Sequence, residues 1–136
     1  MKVSDLDRVV AIWLEANRSA HHFVDAEYWE SHLDYMRNVL PNAEVWVYSI
    51  DGDIVGFIGL DNGYIAGLFV DSDHRSQSIG HKLISHAKQE HDKLSLCVYQ
   101  QNTRAISFYT REGFTPIEHR TDPPTAETEI VMSWHR

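Results

Sequence analysis

The first 41 residues repeat apolar side chains with the period of a helix. Between residues 4 and 17 an apolar residue recurs every three or four positions, which predicts one amphipathic helix. A second stretch with this period begins after Asp25, whose side chain is a good N-cap, and stops at Pro41. The predicted loop between the two helices contains the consecutive residues His21, His22 and Phe23.

The hydrophobic period then changes to two. Along residues 44–50, Val45 and Val47 alternate with Trp46, Tyr48 and Ile50, as side chains do in a strand. Residues 54–60 and 64–70 are the next two predicted strands. Asp51-Gly52 and Asn62-Gly63 separate these stretches, and both dipeptides are strong signals for two-residue hairpin turns. This part of the chain therefore predicts three antiparallel strands joined by hairpins.

The second half of the chain mixes both periods. Helical spacing returns at residues 79–87 and 105–109, whereas residues 94–99, 115–120 and 127–134 have the pattern of strands. No internal repeat or linker-like shift in composition interrupts this order. We therefore expect the whole chain to form a single domain of the α+β (mixed α/β) class, with a mostly antiparallel sheet of about six strands flanked by about four helices.

The composition is that of a soluble globular protein in the cytoplasm. Hydrophobic residues make up 43% and charged residues 24% of the 136 positions, no apolar run is long enough to span a membrane, and the N-terminus has no leader pattern. Cys97 is the only cysteine, which suits a reducing compartment. The net charge of −8 argues against nucleic acid. It either serves solubility alone or favours a cationic or amine-bearing partner. We expect neither nucleic acid nor a membrane among the partners.

The junction between the third predicted strand and the next helix has the chemistry of an anion site. A helix N-terminus presents free backbone N–H groups and the positive end of the helix dipole. Small side chains at Ser76, Ser78 and Gly80 allow an anion to approach the backbone closely. The positively charged or titratable side chains of this junction are His74, Arg75, His81 and Lys82. Neither a Walker phosphate loop nor a G-x-G-x-x-G pattern is present.

Two longer patterns make this junction specific. Arg75-Ser76-Gln77-Ser78-Ile79-Gly80 resembles the R/Q-x-x-G-x-G/A acyl-CoA motif of the GNAT superfamily of N-acetyltransferases. A downstream stretch of this sequence resembles the second signature of that superfamily. The positions that match the signature are Leu96, Val98, Asn102, Ala105, Phe108, Tyr109, Gly113 and Phe114. The order of predicted elements also agrees, so the resemblance covers essentially the whole chain. His21-His22-Phe23 is similar to a His-x-Phe element of small bacterial members.

Two features depart from the superfamily pattern. The fourth motif position, usually glycine, is Ser78, and serine fits there if its φ angle stays negative. Members normally open with a strand, whereas this sequence reaches its first helix within about four residues. We therefore expect the first strand to be short or missing.

The resemblance implies acetyl-CoA as the co-substrate, without a metal, and an amine as the acceptor. The residues that it assigns to acetyl-CoA are Phe69, Val70, Arg75, Gln77, Ser78, Ile79, Gly80, His81 and Asn102. In this assignment the strand end at Phe69 and Val70 binds pantetheine and the oxyanion, and the helix N-terminus binds the pyrophosphate. Asn102 contacts the pantetheine arm. Tyr109 matches the tyrosine that acts as general acid toward the leaving thiolate.

Several of these roles have a structural alternative. Tyr109 lies on an apolar helical stripe and is a core aromatic in the alternative interpretation. His21 and His22 are candidate general bases or solvated loop residues. Phe23 and Trp29 are candidate acceptor-binding residues or ordinary core residues. Weaker candidates for the base are Glu27, Glu44 and a chain of water molecules.

The sequence leaves the acceptor open. It is a protein lysine or N-terminal amine in one interpretation and a small amine or amino acid in another, while a third makes the chain a non-catalytic acyl-CoA-binding domain. A metal site is not expected, because His81, His86 and His91 are spaced so that each step turns about 140° around a helix. The oligomeric state is either a monomer or a homodimer.

Overall fold

The helices and strands follow the order that the hydrophobic pattern predicts. The computed structural model describes residues 1–20, 32–74, 78–123 and 126–136. The helices in these ranges are α1 (Leu6–Ala20), α2 (Leu33–Val39), α3 (Ile79–Glu90) and α4 (Thr103–Arg111). The strands are β1 (Glu44–Ile50), β2 (Asp53–Asp61), β3 (Tyr64–Val70), β4 (Lys93–Tyr99), β5 (Thr115–Asp122) and β6 (Glu127–His135). The start predicted for the second helix, after Asp25, lies outside the described residues.

The strands form one sheet in the order β1-β2-β3-β4-β6-β5. Every neighbouring pair is antiparallel except β3 and β4, which run parallel. Both predicted hairpins are present, since φ is positive at Asp51, Gly52, Asn62 and Gly63, as a type I′ turn requires. The prediction of an α+β fold with a mostly antiparallel six-stranded sheet is confirmed.

Two hydrophobic clusters lie on opposite faces of the sheet. On the first face, which we call the α3 face, α3 and α4 cover the strands through Ile84, Leu83 and Tyr109. On the second face, the α1 face, Val9 and Trp13 of α1 pack against β1 and β2. The side chains of β1 alternate between the two clusters. Val45 and Val47 lie on the α1 face, and Trp46 and Tyr48 lie on the α3 face.

No strand precedes α1 in the part of the chain that the structure describes. A single 3₁₀ turn, Val3–Asp5, leads directly into α1, as the expectation of a short or missing first strand implied. The N-terminal ammonium group donates a hydrogen bond to the carbonyl oxygen of Val45, 3.1 Å away. This contact fixes Met1 against β1, which is the edge of the sheet. No helix among the described residues is long and apolar enough to cross a membrane.

The parallel strands β3 and β4 separate soon after they meet. They pair only at Tyr64 with Ser95 and at Ile65 with Leu96. The ladder ends beyond these two pairs, so residues 66–70 of β3 do not pair with residues 97–99 of β4. We call this divergence the interstrand cleft. It opens toward the carboxyl ends of both strands, which is where the connections into α3 and α4 begin.

Candidate active site

Backbone N–H groups of β3 point into the interstrand cleft. The N–H of Asp71 donates to the carbonyl oxygen of Val55 on β2 at 2.7 Å. Because successive residues of a strand direct their hydrogen bonds to opposite sides, the N–H of Phe69 also points toward β2, and those of Leu68 and Val70 point toward the cleft. The sequence motif indicated Phe69 and Val70 for this role, but only the Val70 N–H points toward the cleft, because the Phe69 N–H faces β2. Leu68 was missed, because the direction of each N–H depends on the register with β2.

Aromatic side chains close the α1 face beside the cleft. Phe69 of β3 and Tyr99 of β4 both pack against the cluster on that face. The Phe69 ring lies on the Phe57 ring, with centroids 5.5 Å apart. The Tyr99 hydroxyl donates a hydrogen bond to Asp122 Oδ2 at 3.0 Å. One aromatic side chain from each diverging strand is therefore held in place by contacts outside the cleft.

Asp71 fixes the start of the connection from β3 to α3. Its Oδ2 accepts a hydrogen bond from Arg8 Nη2 of α1 at 2.8 Å, and His74 Nδ1 lies 3.7 Å away. Its Oδ1 accepts from the Asp73 N–H at 3.3 Å. Burial alone would raise the pKa of Asp71, but the Asp73 N–H and the Arg8 guanidinium hold that pKa below its ordinary value. The carboxylate therefore stays charged and ties the connection to α1.

The N-terminus of α3 has an unusual cap. Ser78 occupies the N-cap position with φ 62° and ψ 20°, the left-handed conformation, and its side chain makes no capping hydrogen bond. We expected serine to fit the motif with a negative φ, but the structure has a positive φ at Ser78. Two positions later Gly80 lies so close to α4 that a Cβ there would be 3.1 Å from Phe108 Cζ. The backbone N–H groups of this turn are left without a side-chain acceptor from Ser78.

The positive side chains predicted around this turn contact other parts of the protein. His74 lies beside Asp71, and Lys82 donates to the Tyr48 hydroxyl at 3.0 Å. His81 Nδ1 lies 2.8 Å from the carboxylate of Glu112 at the end of α4. Each of these three side chains therefore has a partner within the protein. Arg75 and Gln77 lie outside the described residues.

Helix α4 carries Tyr109 into the core of the α3 face. Asn102 caps this helix, because its Oδ1 accepts from the Ala105 N–H at 3.2 Å. Tyr109 is 7% exposed, and its ring packs edge-on against Phe108 and Phe114 at centroid distances of 5.1 and 5.5 Å. Burial raises the pKa of Tyr109, so the phenol keeps its proton at neutral pH. This position is compatible with both the core role and the general-acid role.

Glu112 links the two helices that border the site. Its carboxylate contacts His81 Nδ1 through both oxygens, at 2.8 and 3.0 Å. Its carbonyl oxygen accepts a hydrogen bond from Lys88 Nζ at 2.5 Å. The first and third turns of α3 are thereby attached to the end of α4. Sequence reasoning missed Glu112, since its partners are distant in the chain.

Other candidates from the sequence lie elsewhere. His21, His22, Phe23, Glu27 and Trp29 fall outside the described residues. The weaker base candidate Glu44 accepts hydrogen bonds from Trp46 Nε1 at 2.9 Å and lies 3.1 Å from His91 Nε2. Burial alone would raise the pKa of Glu44, but Trp46 and His91 hold that pKa below its ordinary value. Because His91 follows the last turn of α3, Glu44 lies at the opposite end of that helix from Ser78.

Comparisons with known proteins show the family to which this sequence is similar. A family model described as an acetyltransferase (GNAT) domain matches residues 41–116. The chain is 34% identical over 133 residues to the peptidyl-lysine N-acetyltransferase YiaC of Escherichia coli strain K12, covering 96% of this chain and 91% of that relative. It is 36% identical over 109 residues to the peptidyl-lysine N-acetyltransferase YjaB of the same strain, covering 79% and 74%. The solution structure of apo YjaB from Escherichia coli superposes with a TM-score of 0.87 at 28% identity, covering 98% of this chain and 93% of that one.

Proposed function

Because the chain belongs to the GNAT family of acetyltransferases, as its two motifs predict, we propose that it transfers the acetyl group of acetyl-CoA to the side-chain amine of a protein lysine. The relatives at 34% and 36% identity, which are peptidyl-lysine N-acetyltransferases, support this acceptor. The structural observation that carries the proposal is the divergence of β3 and β4 next to the N-terminus of α3, where the Ser78 side chain makes no capping hydrogen bond. The whole chain acts as one catalytic domain in this proposal.

Acetyl-CoA binds along the interstrand cleft. The pantetheine arm takes the place of a strand beside β3, since the N–H groups of Leu68 and Val70 face an edge that β4 leaves unpaired. The pyrophosphate binds at the first turn of α3, where the free backbone N–H groups and the helix dipole favour an anion. Backbone from Gln77 to His81 and the Arg75 side chain hold it there. The amide nitrogen of Asn102 is available to the pantetheine arm, because only its Oδ1 is used in capping.

The reaction is a direct attack of the neutral amine on the thioester carbonyl. The amine nitrogen forms a bond to the carbonyl carbon, and negative charge develops on the carbonyl oxygen. The N–H groups of Leu68 and Val70 are fixed donors for that charge. The C–S bond then breaks, the carbonyl re-forms as an amide, and the sulfur leaves with the bonding electron pair.

Two proton transfers complete the reaction. The leaving thiolate of CoA takes a proton from the Tyr109 hydroxyl, which burial keeps protonated. The amine, whose reference pKa is about 10.4, must lose a proton before attack and another once the new N–C bond has formed. His21 or His22 accepts these protons directly or through water, and Phe23 and Trp29 form the apolar wall of the acceptor side. Tyr109 regains its proton from solvent after CoA leaves.

A turnover assay with an acceptor panel tests the proposal. We expect the protein to release free CoA from acetyl-CoA faster with lysine peptides as acceptors than with N-terminal-amine peptides or small amines. Faster turnover with a small amine would reassign the acceptor. Tight binding of acetyl-CoA without turnover on any acceptor would indicate a binding domain instead of an enzyme.

Replacement of Tyr109 tests the general-acid step. In Tyr109→Phe the ring contacts with Phe108 and Phe114 persist, so we expect an intact fold and a kcat lowered by roughly 100-fold or more. Tyr35→Phe, on an exposed tyrosine of α2, is the matched control and keeps the wild-type rate. An unchanged kcat in Tyr109→Phe would leave only the core role for this residue.

A further inference from the structure

The ring of Phe69 lies directly against the backbone of Gly67. A Cβ built on Gly67 would be 2.4 Å from Phe69 Cε2, a distance that ordinary packing does not allow, and 3.3 Å from Cζ. Gly67 is therefore the residue type that lets the ring fold back along its own strand. The Phe69 ring also contacts the ring of Phe57, which is 1% exposed. Phe69 thus packs against both a fully buried ring and the backbone of its own strand.

This folded-back ring sits at the start of the interstrand cleft. Gly67 comes two residues after Ile65, the last residue of β3 that pairs with β4. Gly67 and Phe69 flank Leu68 in sequence and lie on its opposite face, because side chains alternate along a strand. Leu68 itself packs on the α3 face, and Phe69 packs on the α1 face. The Phe69 ring consequently covers the α1 side of the backbone around the Leu68 N–H.

The proposed reaction places the thioester carbonyl at this same point. If the Leu68 and Val70 N–H groups receive the carbonyl oxygen, the acyl chain extends from the carbonyl carbon next to Gly67 and Phe69. The space on the α1 side is occupied by the Phe69 ring. Across the cleft Tyr99 is fixed by its hydrogen bond to Asp122, so neither wall is free to withdraw.

We infer that Phe69 is a specificity-determining residue that restricts the acyl donor to acetyl-CoA by occupying the space that a longer acyl chain would need. This inference rests on the proposed function and adds to it a limit on the donor. The backbone of Phe69 has a role in the superfamily motif, but the size selection belongs to its side chain. A methyl group fits beside the ring, whereas each further methylene has to displace it.

Binding of CoA, acetyl-CoA and butyryl-CoA, measured by calorimetry without acceptor, tests the inference separately from catalysis. We expect the wild type to bind acetyl-CoA at least about tenfold more tightly than butyryl-CoA, as one or two methylenes in an apolar site can require. In Phe69→Ala that ratio should shrink at least about fivefold. The ratio of kcat/KM for the two donors should change in the same direction.

Phe69→Leu and Val47→Ala complete the test. Phe69→Leu keeps an apolar side chain in the cluster. Its ratio of acetyl-CoA to butyryl-CoA affinity should lie between the wild-type ratio and equal binding, so this variant provides the test if Phe69→Ala does not fold. Val47→Ala removes atoms from the same α1-face cluster but from β1, and should keep the wild-type ratio. Equal binding of the two donors by the wild type, or an unchanged ratio in both Phe69 variants, would overturn the inference and leave the proposed function standing. A wild type that binds no acyl-CoA would overturn the proposed function as well.

Discussion

The two connections that lead from a strand into a helix at the cleft are built in opposite ways. At the start of α4, Asn102 has a negative φ and its side chain accepts from the N–H of Ala105. At the start of α3, Ser78 has a positive φ and its side chain caps nothing. Both helices begin at the open end of the same cleft. Only α4 satisfies its first turn with its own side chain.

In the proposed function, this difference separates a helix start that is only structural from one that binds a ligand. A first-turn N–H that a side chain already binds is not available to a phosphate. The left-handed conformation at Ser78 costs free energy, of order 1 to 2 kcal/mol for a residue with a Cβ, and contributes no capping bond in return. Such a turn is stabilised when an anion binds it.

The largest effect is expected at Gly80, where α3 meets α4. In Gly80→Val the new side chain would press on Phe108, whose Cζ is only 3.1 Å from a Cβ at this position. We expect a loss of about 1 to 3 kcal/mol in the free energy of unfolding and an at least tenfold weaker binding of acetyl-CoA. Gln89→Val introduces the same side chain at an exposed position of α3 and should leave binding unchanged. Equal effects of the two variants in denaturation and calorimetry would contradict the role of this close contact.

A smaller effect is expected at Asp71, which attaches the α3 connection to α1. Asp71→Asn removes the charge that Arg8 contacts and should lower the free energy of unfolding by about 1 to 2 kcal/mol at pH 7. The pKa of Asp71 is lowered in the folded state, so its contribution is present above the unfolded pKa of about 3.9 and is lost as the pH falls through the folded value. Between roughly pH 5 and pH 2, the free energy of unfolding should therefore fall less in Asp71→Asn than in the wild type.

Asp73→Asn is the matched control for this charge. The carboxylate of Asp73 is exposed, and only its backbone N–H contacts Asp71. Urea denaturation of the three proteins across the acid range measures the difference. Parallel pH profiles for wild type and Asp71→Asn would show that the tie to α1 contributes nothing in solution.

The cap of α4 should have a moderate effect of its own. Asn102→Ala removes the acceptor for the Ala105 N–H and should cost about 1 kcal/mol. Thermal unfolding should then shift down by about 3 to 5 °C. Asn102→Asp keeps an oxygen acceptor and should retain most of the stability. A loss of stability in Asn102→Asp as large as in Asn102→Ala would show that the cap is not what stabilises this turn.

Local patterns in the sequence were sufficient to predict most of this fold. Asp51-Gly52 and Asn62-Gly63 predicted both hairpins because these dipeptides accept positive φ at both central positions. The alternation around Trp46 predicted which side chains of β1 share a face. In each case the information lies within a few neighbouring residues. The family motifs likewise predicted the two connections at the cleft from short stretches of sequence.

The features that were not predicted depend on contacts between distant segments. Leu68 was missed because its N–H direction follows from the register of β3 with β2. Glu112 was missed because its partners His81 and Lys88 are brought to it by the packing of α3 against α4. The contact of Lys82 with the Tyr48 hydroxyl was not predicted either, because it depends on the packing of α3 against the distant strand β1. The φ angle of Ser78 is also set by the surrounding fold, and the sequence alone favoured the opposite sign.

Ser78 gives the smallest expected effect and the most direct test of the comparison. Ser78→Gly removes the Cβ from a residue with φ 62°, so it should raise the free energy of unfolding by up to about 1 kcal/mol and tighten acetyl-CoA binding a few-fold. Ser78→Ala keeps the Cβ and loses only a hydroxyl that caps nothing, so it should be within about 0.5 kcal/mol of the wild type. Asn102→Ala, at the capped helix, should cost more than Ser78→Ala under the same denaturation conditions. If Ser78→Ala were as destabilising as Asn102→Ala, the Ser78 side chain would be capping α3 in solution, and the two helix starts would not differ in the way that leaves α3 available to a ligand.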